Sequence, residues 1–253
     1  MLLDGKRILI TGSTSGIGRA TVAMAAAEGA TVIVSGRRSE EAGNVVAEIA
    51  SAGGHAFAVV GDIAEPSFAD RLVGDSIELL GGLDGVVNAA GIIVRATAEN
   101  TTDEDWARQM AVNVDAVFRV SRAAVPHVRA AGGGSIVNVS STCGNVGAAG
   151  LAGYCASKGA VISLTQAMAL EHGADQIRVN AVCPGAIDTP MLGDGHGPGV
   201  TIDDVRDANL ASIPQGRIPG PDEVADLIVF LLSDRSRHVT GADLAIDGGY
   251  TAQ

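Results

Sequence analysis

The chain of 253 residues carries 29 acidic and 17 basic side chains, which give it a formal net charge of −12 at pH 7. Nucleic acids and anionic membrane surfaces are polyanions, so this charge argues against both as partners. Hydrophobic residues make up 47% of the chain and no linker or low-complexity run interrupts it, so we expect a single domain over residues 1–253.

The cysteines, the histidines and the apolar runs argue against several other classes of protein. The three cysteines form no Cys-x-x-Cys pair, so neither a disulfide framework nor a zinc site is indicated. The five histidines lack the spacing of metal ligands, and we expect no bound metal. No apolar run reaches the ~18 residues of a membrane span or resembles a signal-peptide core, so we expect a soluble, cytoplasmic protein.

Short runs rich in valine and isoleucine alternate with longer amphipathic stretches along the chain. The short runs predict strands at Arg7–Thr11, Thr31–Ser35, Ala56–Val60, Gly85–Asn88, Ser135–Val139, Ile177–Val182 and Leu244–Ile246. The longer stretches predict helices at Gly16–Glu28, Ser39–Ala52, Pro66–Leu80, Asp103–Arg129, Gly153–His172 and Pro221–Leu232. Helical crossovers connect parallel strands, so the sequence predicts a Rossmann-like, doubly wound three-layer α/β/α sandwich with a central, mostly parallel seven-stranded sheet.

The first predicted strand runs into a glycine-rich turn that contains Gly12, Gly16 and Gly18, and a helix follows. Glycine permits sharp turns and a close approach of the backbone to a phosphate, while the helix N-terminus offers unpaired N–H groups to an anion. The turn therefore predicts a pyrophosphate-binding loop. Its Gly-x-x-x-Gly-x-Gly spacing differs from the Gly-x-Gly-x-x-Gly of the commonest dinucleotide fingerprint.

Tyr154 and Lys158 stand four residues apart in a predicted helix. Residues i and i+4 share a helix face, so a phenol and an ammonium group lie about one turn apart. A free tyrosine titrates near pH ~10, and a neighbouring cation favours the phenolate and lowers the pKa towards neutrality. The pair therefore predicts a general acid/base.

Together these motifs resemble the short-chain dehydrogenase/reductase family in its single-domain form. The residues that occur in the family's order and spacing are Gly12, Gly16, Gly18, Asn88, Ala89, Ala90, Gly91, Asn113, Ser141, Tyr154, Lys158, Pro184, Gly185 and the run Asp247-Gly248-Gly249-Tyr250. The resemblance covers essentially the whole chain. It implies an NAD(P)-dependent oxidoreductase that interconverts secondary alcohols and ketones by hydride transfer.

The resemblance also implies a role for each site residue. Tyr154 would exchange a proton with the substrate oxygen, Ser141 would stabilise charge on that oxygen, and Lys158 would lower the pKa of Tyr154 and bind the nicotinamide ribose. Asn113 would hold a water molecule that links Lys158 to solvent. The residues expected to contact the coenzyme are Gly12, Ser13, Thr14, Ser15, Gly16, Ile17, Gly18, Gly36, Arg37, Arg38, Asp62, Ile63, Asn88, Ala89, Ala90, Gly91, Tyr154, Lys158, Pro184, Gly185, Ile187 and Thr189.

The end of the second predicted strand bears on the choice of coenzyme. An acidic residue there binds the free ribose 2′-hydroxyl of NAD, whereas an arginine accommodates the 2′-phosphate of NADP. Gly36 stands where the acid would be, and Arg37 and Arg38 follow it. We therefore expect NADP, and Glu40 and Glu41 close by keep NAD as the alternative.

By the same resemblance, mostly apolar residues and a lid over residues 190–212 enclose the substrate. The expected walls are Ile92, Ile93, Val94, Cys143, Asn145 and Leu151. The lid is rich in glycine and contains the acidic residues Asp194, Asp203 and Asp204, a composition that predicts a mobile loop followed by a short capped helix.

Two other functions stay open. A 3-oxoacyl-(acyl-carrier-protein) reductase would need a basic docking patch, for which the segment around His127 and Arg129 offers little. A nucleotide-binding protein without turnover would have no need of Ser141, Tyr154 and Lys158. The expected partners are a small carbonyl or alcohol substrate and further copies of the chain, as a homotetramer by resemblance or a homodimer as the alternative.

Overall fold

The computed structural model describes residues 1–197 and 199–252. The strands are β1 (Arg7–Thr11), β2 (Thr31–Gly36), β3 (His55–Val60), β4 (Gly85–Asn88), β5 (Gly134–Val139), β6 (Ile177–Pro184) and β7 (Asp243–Ile246). The α-helices are α1 (Gly16–Ala27), α2 (Ser39–Ser51), α3 (Phe68–Leu80), α4 (Asp103–Met110), α5 (Ala116–Ala130), α6 (Ala152–His172), α7 (Pro190–Gly193), α8 (Ile202–Leu210) and α9 (Pro221–Leu232).

The seven strands form one sheet in the order β3-β2-β1-β4-β5-β6-β7. Every neighbouring pair is parallel, so the sheet is wholly parallel rather than mostly parallel. The direction in which strands are added reverses between β1 and β4. Crevices for ligands open outside the carboxyl ends of the strands at such a switch point.

Helices cover both faces of the sheet, which confirms the predicted three-layer sandwich. On one face α1, α2 and α9 bury Val22, Val45 and Ile228 against the strands. On the other face α3, α5 and α6 bury side chains such as Leu72 and Val120. Because the strands are covered on both faces, their sequences are nearly continuous apolar runs. No helix within the described residues is long and apolar enough to cross a membrane.

The helix predicted over Asp103–Arg129 is interrupted. A π-helical turn covers Ala111–Asp115, between α4 and α5. Such turns arise where a helix inserts an extra residue, and they often accompany functional sites. The next helix upstream, α3, begins at Phe68 rather than Pro66 because the Phe68 N–H is held in a tight turn by the Glu65 carbonyl at 3.0 Å. The other predicted ends agree with the structure to within two residues.

Asn88, the last residue of β4, belongs to a buried polar network. Its Nδ2 donates to Ser121 Oγ at 3.0 Å and to Asn138 Oδ1 at 2.8 Å. Asn138 Nδ2 in turn donates to Thr165 Oγ1 at 2.8 Å. This chain of hydrogen bonds ties β4 and β5 to α5 and α6, so it fixes the middle of the sheet beneath the switch point.

Replacing Asn88 with alanine should lower the free energy of unfolding by about 2–3 kcal/mol, because Ser121 and Asn138 would be left buried with fewer partners. Denaturant unfolding followed by circular dichroism measures this loss. Ser121→Ala removes one hydrogen bond of the network and should cost about 1 kcal/mol. Equal losses in the two variants would show that the network does not stabilise the sheet in this way.

Candidate active site

A cleft with a volume of about 670 Å³ opens at the carboxyl ends of the strands. Loops after β1, β2, β3, β4, β5 and β6 form it, and the lid (residues 190–212) contributes one wall. Most of the predicted site residues line the cleft: Gly12, Thr14, Ser15, Gly16, Ile17, Gly18, Gly36, Arg37, Arg38, Asp62, Ile63, Ala89, Ala90, Gly91, Ser141, Tyr154, Lys158, Pro184, Gly185, Ile187 and Thr189.

Three predicted site residues lie behind this lining and support it. Ser13 Oγ donates to the Ile10 carbonyl at 2.8 Å and accepts from the Ser35 N–H at 2.8 Å. Asn88 is held in the core network described above. Asn113 is fully buried and bonds to the loop after β4. The sequence predicts that these residues lie near the site but does not show whether they line the cleft or lie behind its lining.

The glycine-rich turn between β1 and α1 is a concave surface that side chains would fill. Gly12 has a φ of 65°, and a Cβ atom there would lie 2.6 Å from Ala90 Cα. A Cβ atom at Gly18 would overlap the Gly12 carbonyl group. Within the described part of the chain, Ser15 at the start of α1 makes no side-chain capping bond, which leaves the first N–H groups of the helix open. This arrangement fits the pyrophosphate of a dinucleotide.

The end of β2 contains the residues that bear on coenzyme choice. A Cβ atom at Gly36 would lie 2.8 Å from Thr14 Cγ2, so Thr14 occupies the space that an acidic side chain would need. Arg38 Nε forms an ion pair with Glu41 Oε1 at 2.8 Å. Arg37 is exposed, and no carboxylate of the described residues lies within ion-pair distance of it. Arg37 therefore has the less engaged positive charge of the two.

Asp62 has a partner that the sequence did not predict. Its Oδ2 accepts from Arg108 Nη2 at 3.1 Å, and its Oδ1 accepts from the Ala64 N–H at 3.0 Å. Burial opposes ionisation, but the hydrogen bonds from Ala64 and Arg108 hold the pKa of Asp62 below its usual range. Arg108 lies on α4, 46 residues away, and also lines the cleft. No local motif could have revealed so distant a pair.

Tyr154, Lys158 and Ser141 meet at the other end of the cleft. Tyr154 lies in the first turn of α6, and Lys158 lies one turn later. Lys158 Nζ is 5.6 Å from the centroid of the Tyr154 ring and donates to the Val139 carbonyl at 2.9 Å. Ser141 follows β5; its Oγ accepts from the Cys143 N–H at 3.1 Å and lies next to the Tyr154 phenol. The predicted grouping is therefore present.

Burial shifts the pKa values of both titratable groups. Burial raises the pKa of Tyr154 above its ordinary value, although the nearby Ser141 hydroxyl opposes the shift. Burial also lowers the pKa of Lys158 to about 8. The expectation that Lys158 lowers the pKa of Tyr154 is not met here. Helical spacing does not show that the ammonium group is held by the Val139 carbonyl and that the phenol is almost fully buried.

Two buried amide side chains hold the loop that follows β4. Asn113 Oδ1 accepts from the Ile92 N–H and its Nδ2 donates to the Ile92 carbonyl, both at 2.9 Å. Asn113 Nδ2 also donates to Ser157 Oγ at 3.0 Å. Gln109 Oε1 accepts from the Val94 N–H at 2.8 Å. The Asn113 side chain, which the sequence assigned to a water molecule, is thus engaged in positioning this loop.

The predicted substrate walls are largely present. Ile92, Ile93, Cys143 and Leu151 line the cleft. Val94 and Asn145 are not among the lining residues. Asn145 turns away, and its Nδ2 donates to Asp243 Oδ2 at 2.7 Å. Burial raises the pKa of the Cys143 thiol, which favours the protonated form.

The lid contains the short capped helix that the sequence predicts. This helix is α8, and its N-terminus has a capping box in which Thr201 and Asp204 bond each other's backbone N–H groups. Pro198, which the sequence places in the preceding loop, lies outside the described residues. Arg95, which the sequence did not single out, lines the cleft and reaches the lid, where its Nε donates to the Asp194 carbonyl at 2.8 Å. Among residues 1–197 and 199–252, no three potential metal-binding side chains come together.

Comparison with known proteins gives consistent likenesses. The family model described as enoyl-(acyl carrier protein) reductase matches residues 12–251. The chain is 38% identical over 249 residues to the 2,5-dichloro-2,5-cyclohexadiene-1,4-diol dehydrogenase LinX of Sphingobium indicum. The matched region covers 98% of this chain and 97% of that protein. It is 40% identical to the 3-oxoacyl-(acyl-carrier-protein) reductase FabG of Thermotoga maritima, over 98% of this chain and 99% of that one.

Among solved structures, a short-chain type dehydrogenase/reductase from Mycobacterium marinum matches with a TM-score of 0.93 and 36% identity, covering 99% of this chain and 97% of that one. The likenesses thus extend over nearly the whole chain, and the glycine turn, Ser141, Tyr154 and Lys158 occupy one cleft. The chain belongs to the short-chain dehydrogenase/reductase family and is an alcohol dehydrogenase or carbonyl reductase that uses a nicotinamide coenzyme.

Proposed function

We propose that the chain interconverts a secondary alcohol and a ketone with Tyr154 as the general acid/base. The observation that carries this proposal is the meeting of Tyr154, Ser141 and Lys158 in the cleft that also contains the glycine-rich turn. When bound, the nicotinamide coenzyme supplies or accepts the hydride. The side chains of the cleft move the proton and stabilise the charge on the substrate oxygen.

Tyr154 is placed to move the proton. Its raised pKa keeps the phenol protonated at neutral pH, so it can donate to a carbonyl oxygen. The Ser141 hydroxyl can bond the same oxygen and stabilise the negative charge that develops there. In the oxidation direction, the phenolate form of Tyr154 would accept the proton of the alcohol. We assign Asn113 to positioning of the loop that begins at Ile92.

We propose that the coenzyme lies along the sheet edge with its adenosine end near Asp62. The turn with Gly12, Gly16 and Gly18 would hold the pyrophosphate, and Lys158 would bind the nicotinamide ribose. Asp62 and Ile63 would contact the adenine. The segment after β6, which includes Pro184, Gly185, Ile187 and Thr189, would hold the carboxamide. Ser13, Asn88 and Asn113 would support these contacts from behind the wall.

The preferred coenzyme in this proposal is NADP. Gly36 stands where the acidic partner of the NAD ribose would be, and a Cβ atom there would press against the Thr14 side chain. Arg37 can meet a 2′-phosphate with its charge uncommitted to an ion pair within the described chain, whereas Arg38 shares its charge with Glu41. An arginine presents donors that suit a phosphate.

The likeness to FabG of Thermotoga maritima keeps a carrier-bound 3-oxoacyl substrate as the second candidate. Two observations weigh against it. Arg129, one of the few cations at the end of α5, is paired with Asp175 at 2.7 Å. The net charge of −12 would also repel an acidic carrier protein. A panel that includes cyclic alcohols, ketones and a carrier-bound 3-oxoacyl group would separate the two candidates.

We further propose that the chain is one domain that assembles as a homotetramer in the cytoplasm, with a homodimer as the alternative. Large apolar side chains lie exposed on α4 and α5. Trp106 on α4 is 44% exposed, and Phe118 on α5 is 45% exposed. Copies of the chain that packed these helices together would bury this surface.

Tyr154→Phe should lower kcat/KM by a factor of about 100–10,000, the range that a positioned general acid contributes. Coenzyme affinity should change less than threefold, since the phenol oxygen is the only group removed. Absorbance assays at the band of the reduced nicotinamide measure kcat/KM, and fluorescence titration measures coenzyme affinity. Turnover that survives in this variant would instead favour a different proton donor.

Lys158→Met should make the stability of the protein less dependent on pH above neutrality. The folded pKa of Lys158 is about 8 and its ordinary value is 10.5, so between these values the unfolded chain binds the extra proton. Stability therefore rises with pH in this window, and the penalty for burying the charge is present in full below pH 8. Relative to that of Lys158→Met, the free energy of unfolding of the wild type should rise by up to about 3 kcal/mol between pH 8 and 10.5.

Methionine has a similar length and no charge, so titration of all other groups cancels in the comparison between the two proteins. Urea unfolding at several pH values measures the difference. A difference that stays flat across the window would mean that Lys158 titrates near its ordinary value in the folded protein.

Arg37→Ala should reduce kcat/KM with NADP by about 10–100-fold, the value of a charge-assisted hydrogen bond to phosphate. The value with NAD should remain within a factor of about three. Arg38→Ala is the matched control and should have a smaller effect, because Glu41 already engages Arg38. A clear preference of the wild type for NAD would overturn the assignment.

A further inference from the structure

Arg95 projects from a segment that is fixed at three points. Asn113 bonds both backbone groups of Ile92, and Gln109 bonds the N–H of Val94. One residue after Arg95, Ala96 forms an isolated parallel bridge with Leu151. The backbone that carries Arg95 is therefore held by the same elements that form the substrate end of the cleft.

The Arg95 side chain spans the gap between this segment and the lid. Its Nε donates to the Asp194 carbonyl at 2.8 Å, and its Nη2 makes a longer contact of 3.4 Å with the Leu192 carbonyl. A Cβ atom at Gly195 would touch the aliphatic stem of Arg95 at 3.6 Å. The contacts to the lid thus involve neutral carbonyl groups and packing.

Within the part of the chain that the structure describes, the guanidinium group of Arg95 forms no ion pair. No carboxylate of residues 1–197 and 199–252 lies within 4.0 Å of it, and no hydrogen bond from its Nη1 is present among these residues. Arginine stays protonated even where burial lowers its pKa, as it does for Arg95. The Asp194 carboxylate acts on the Arg95 charge from beyond ion-pair distance, but the hydrogen bonds of the guanidinium group go only to neutral carbonyls, so an added carboxylate can pair with it directly.

Arg95 also lies close enough to the proposed chemistry to act on it. Its charge opposes the rise in the pKa of Tyr154 and interacts with Cys143. Tyr154, Cys143 and Arg95 line one cleft, whose walls also include the apolar side chains of Ile92 and Leu151 and the polar lid residues Asp194 and His196. A small substrate could present its reacting oxygen to Tyr154 and an anionic group to Arg95.

We propose that the substrate is a hydroxy acid or the corresponding oxo acid, and that its carboxylate pairs with Arg95 while its hydroxyl or carbonyl oxygen meets Tyr154. This substrate class rests on the proposed alcohol and ketone chemistry of the cleft. The apolar residues of the cleft would contact the carbon skeleton of the substrate between its two polar ends. The net charge of −12 does not prevent such binding, because charges beyond about 8 Å are screened at physiological ionic strength.

The first test compares two substrates that differ in charge, 3-oxocyclohexanecarboxylate and its methyl ester, in the wild type and two variants. The wild type should prefer the acid by at least tenfold in kcat/KM. Arg95→Gln retains a donor for the lid carbonyls but loses the charge, and should reduce the preference to near one. Arg95→Lys keeps the charge and should retain part of the preference.

A role of Arg95 in the lid alone gives a different result. Arg95→Gln would then lower kcat/KM for the acid and the ester by the same factor, and this result would overturn the inference. Equal use of the two substrates by the wild type would overturn it as well.

The second test is a binding measurement that requires no turnover. Calorimetric titration with cyclohexanecarboxylate and with the neutral cyclohexanecarboxamide should show at least tenfold tighter binding of the acid to the wild type. Arg95→Gln should lose this difference. If no ketone or alcohol is turned over but the acid still binds through Arg95, the proposed reaction fails and the anion site remains. Equal binding of acid and amide to the wild type would remove the anion site.

Discussion

The cleft depends on the close contact of two loops at the point where the order of strands reverses. Gly12 after β1 and Ala90 after β4 approach so closely that a Cβ atom on Gly12 would lie 2.6 Å from Ala90 Cα. Thr11 Oγ1 secures the contact by accepting from the N–H groups of Ala89 and Ala90 at 3.1 and 3.2 Å. The first loop forms the glycine-rich turn, and the second leads directly to Ile92 at the substrate end. One steric constraint therefore sets the distance between the two halves of the site.

At the substrate end, the fold buries ionisable groups at a cost in stability. Lys158 is 4% exposed and Tyr154 is 7% exposed, so a cation and an ionisable phenol both stand in a poorly hydrated space. The Val139 carbonyl bonds the ammonium group but carries no charge to balance it, and the pKa of Lys158 falls as a result. The pKa of a poorly hydrated group responds strongly to any new charge or dipole nearby. The burial that weakens the native state thus makes the pair sensitive to what enters the cleft.

Much of this arrangement could be predicted from the sequence, because local geometry determines it. Continuous apolar runs separated by helices require a parallel sheet, the glycine spacing requires a close backbone approach, and a four-residue separation on a helix places Tyr154 beside Lys158. Contacts between distant segments could not be predicted in this way. The Asp62–Arg108 pair joins residues 46 apart, and Asn113 in the π-helical turn bonds Ile92, which is 21 residues away. The direction of the Tyr154 pKa shift depends on burial, which no motif encodes.

The two halves of the cleft are built by different rules, and this difference explains why the substrate is harder to infer than the coenzyme. The coenzyme half is shaped largely by backbone and by missing side chains, so its residue types are recognisable in sequence. The substrate half is shaped by side chains from segments far apart, such as Arg95 and the Asp194 carbonyl, which are 99 residues apart. Since the Arg95 contact to the lid uses Nε and Nη2, an anion at Nη1 would add to that contact rather than compete with it. Lid closure and recognition of an anionic substrate would then reinforce each other through one side chain, which is how a mobile loop can contribute to specificity without supplying a charged ligand of its own.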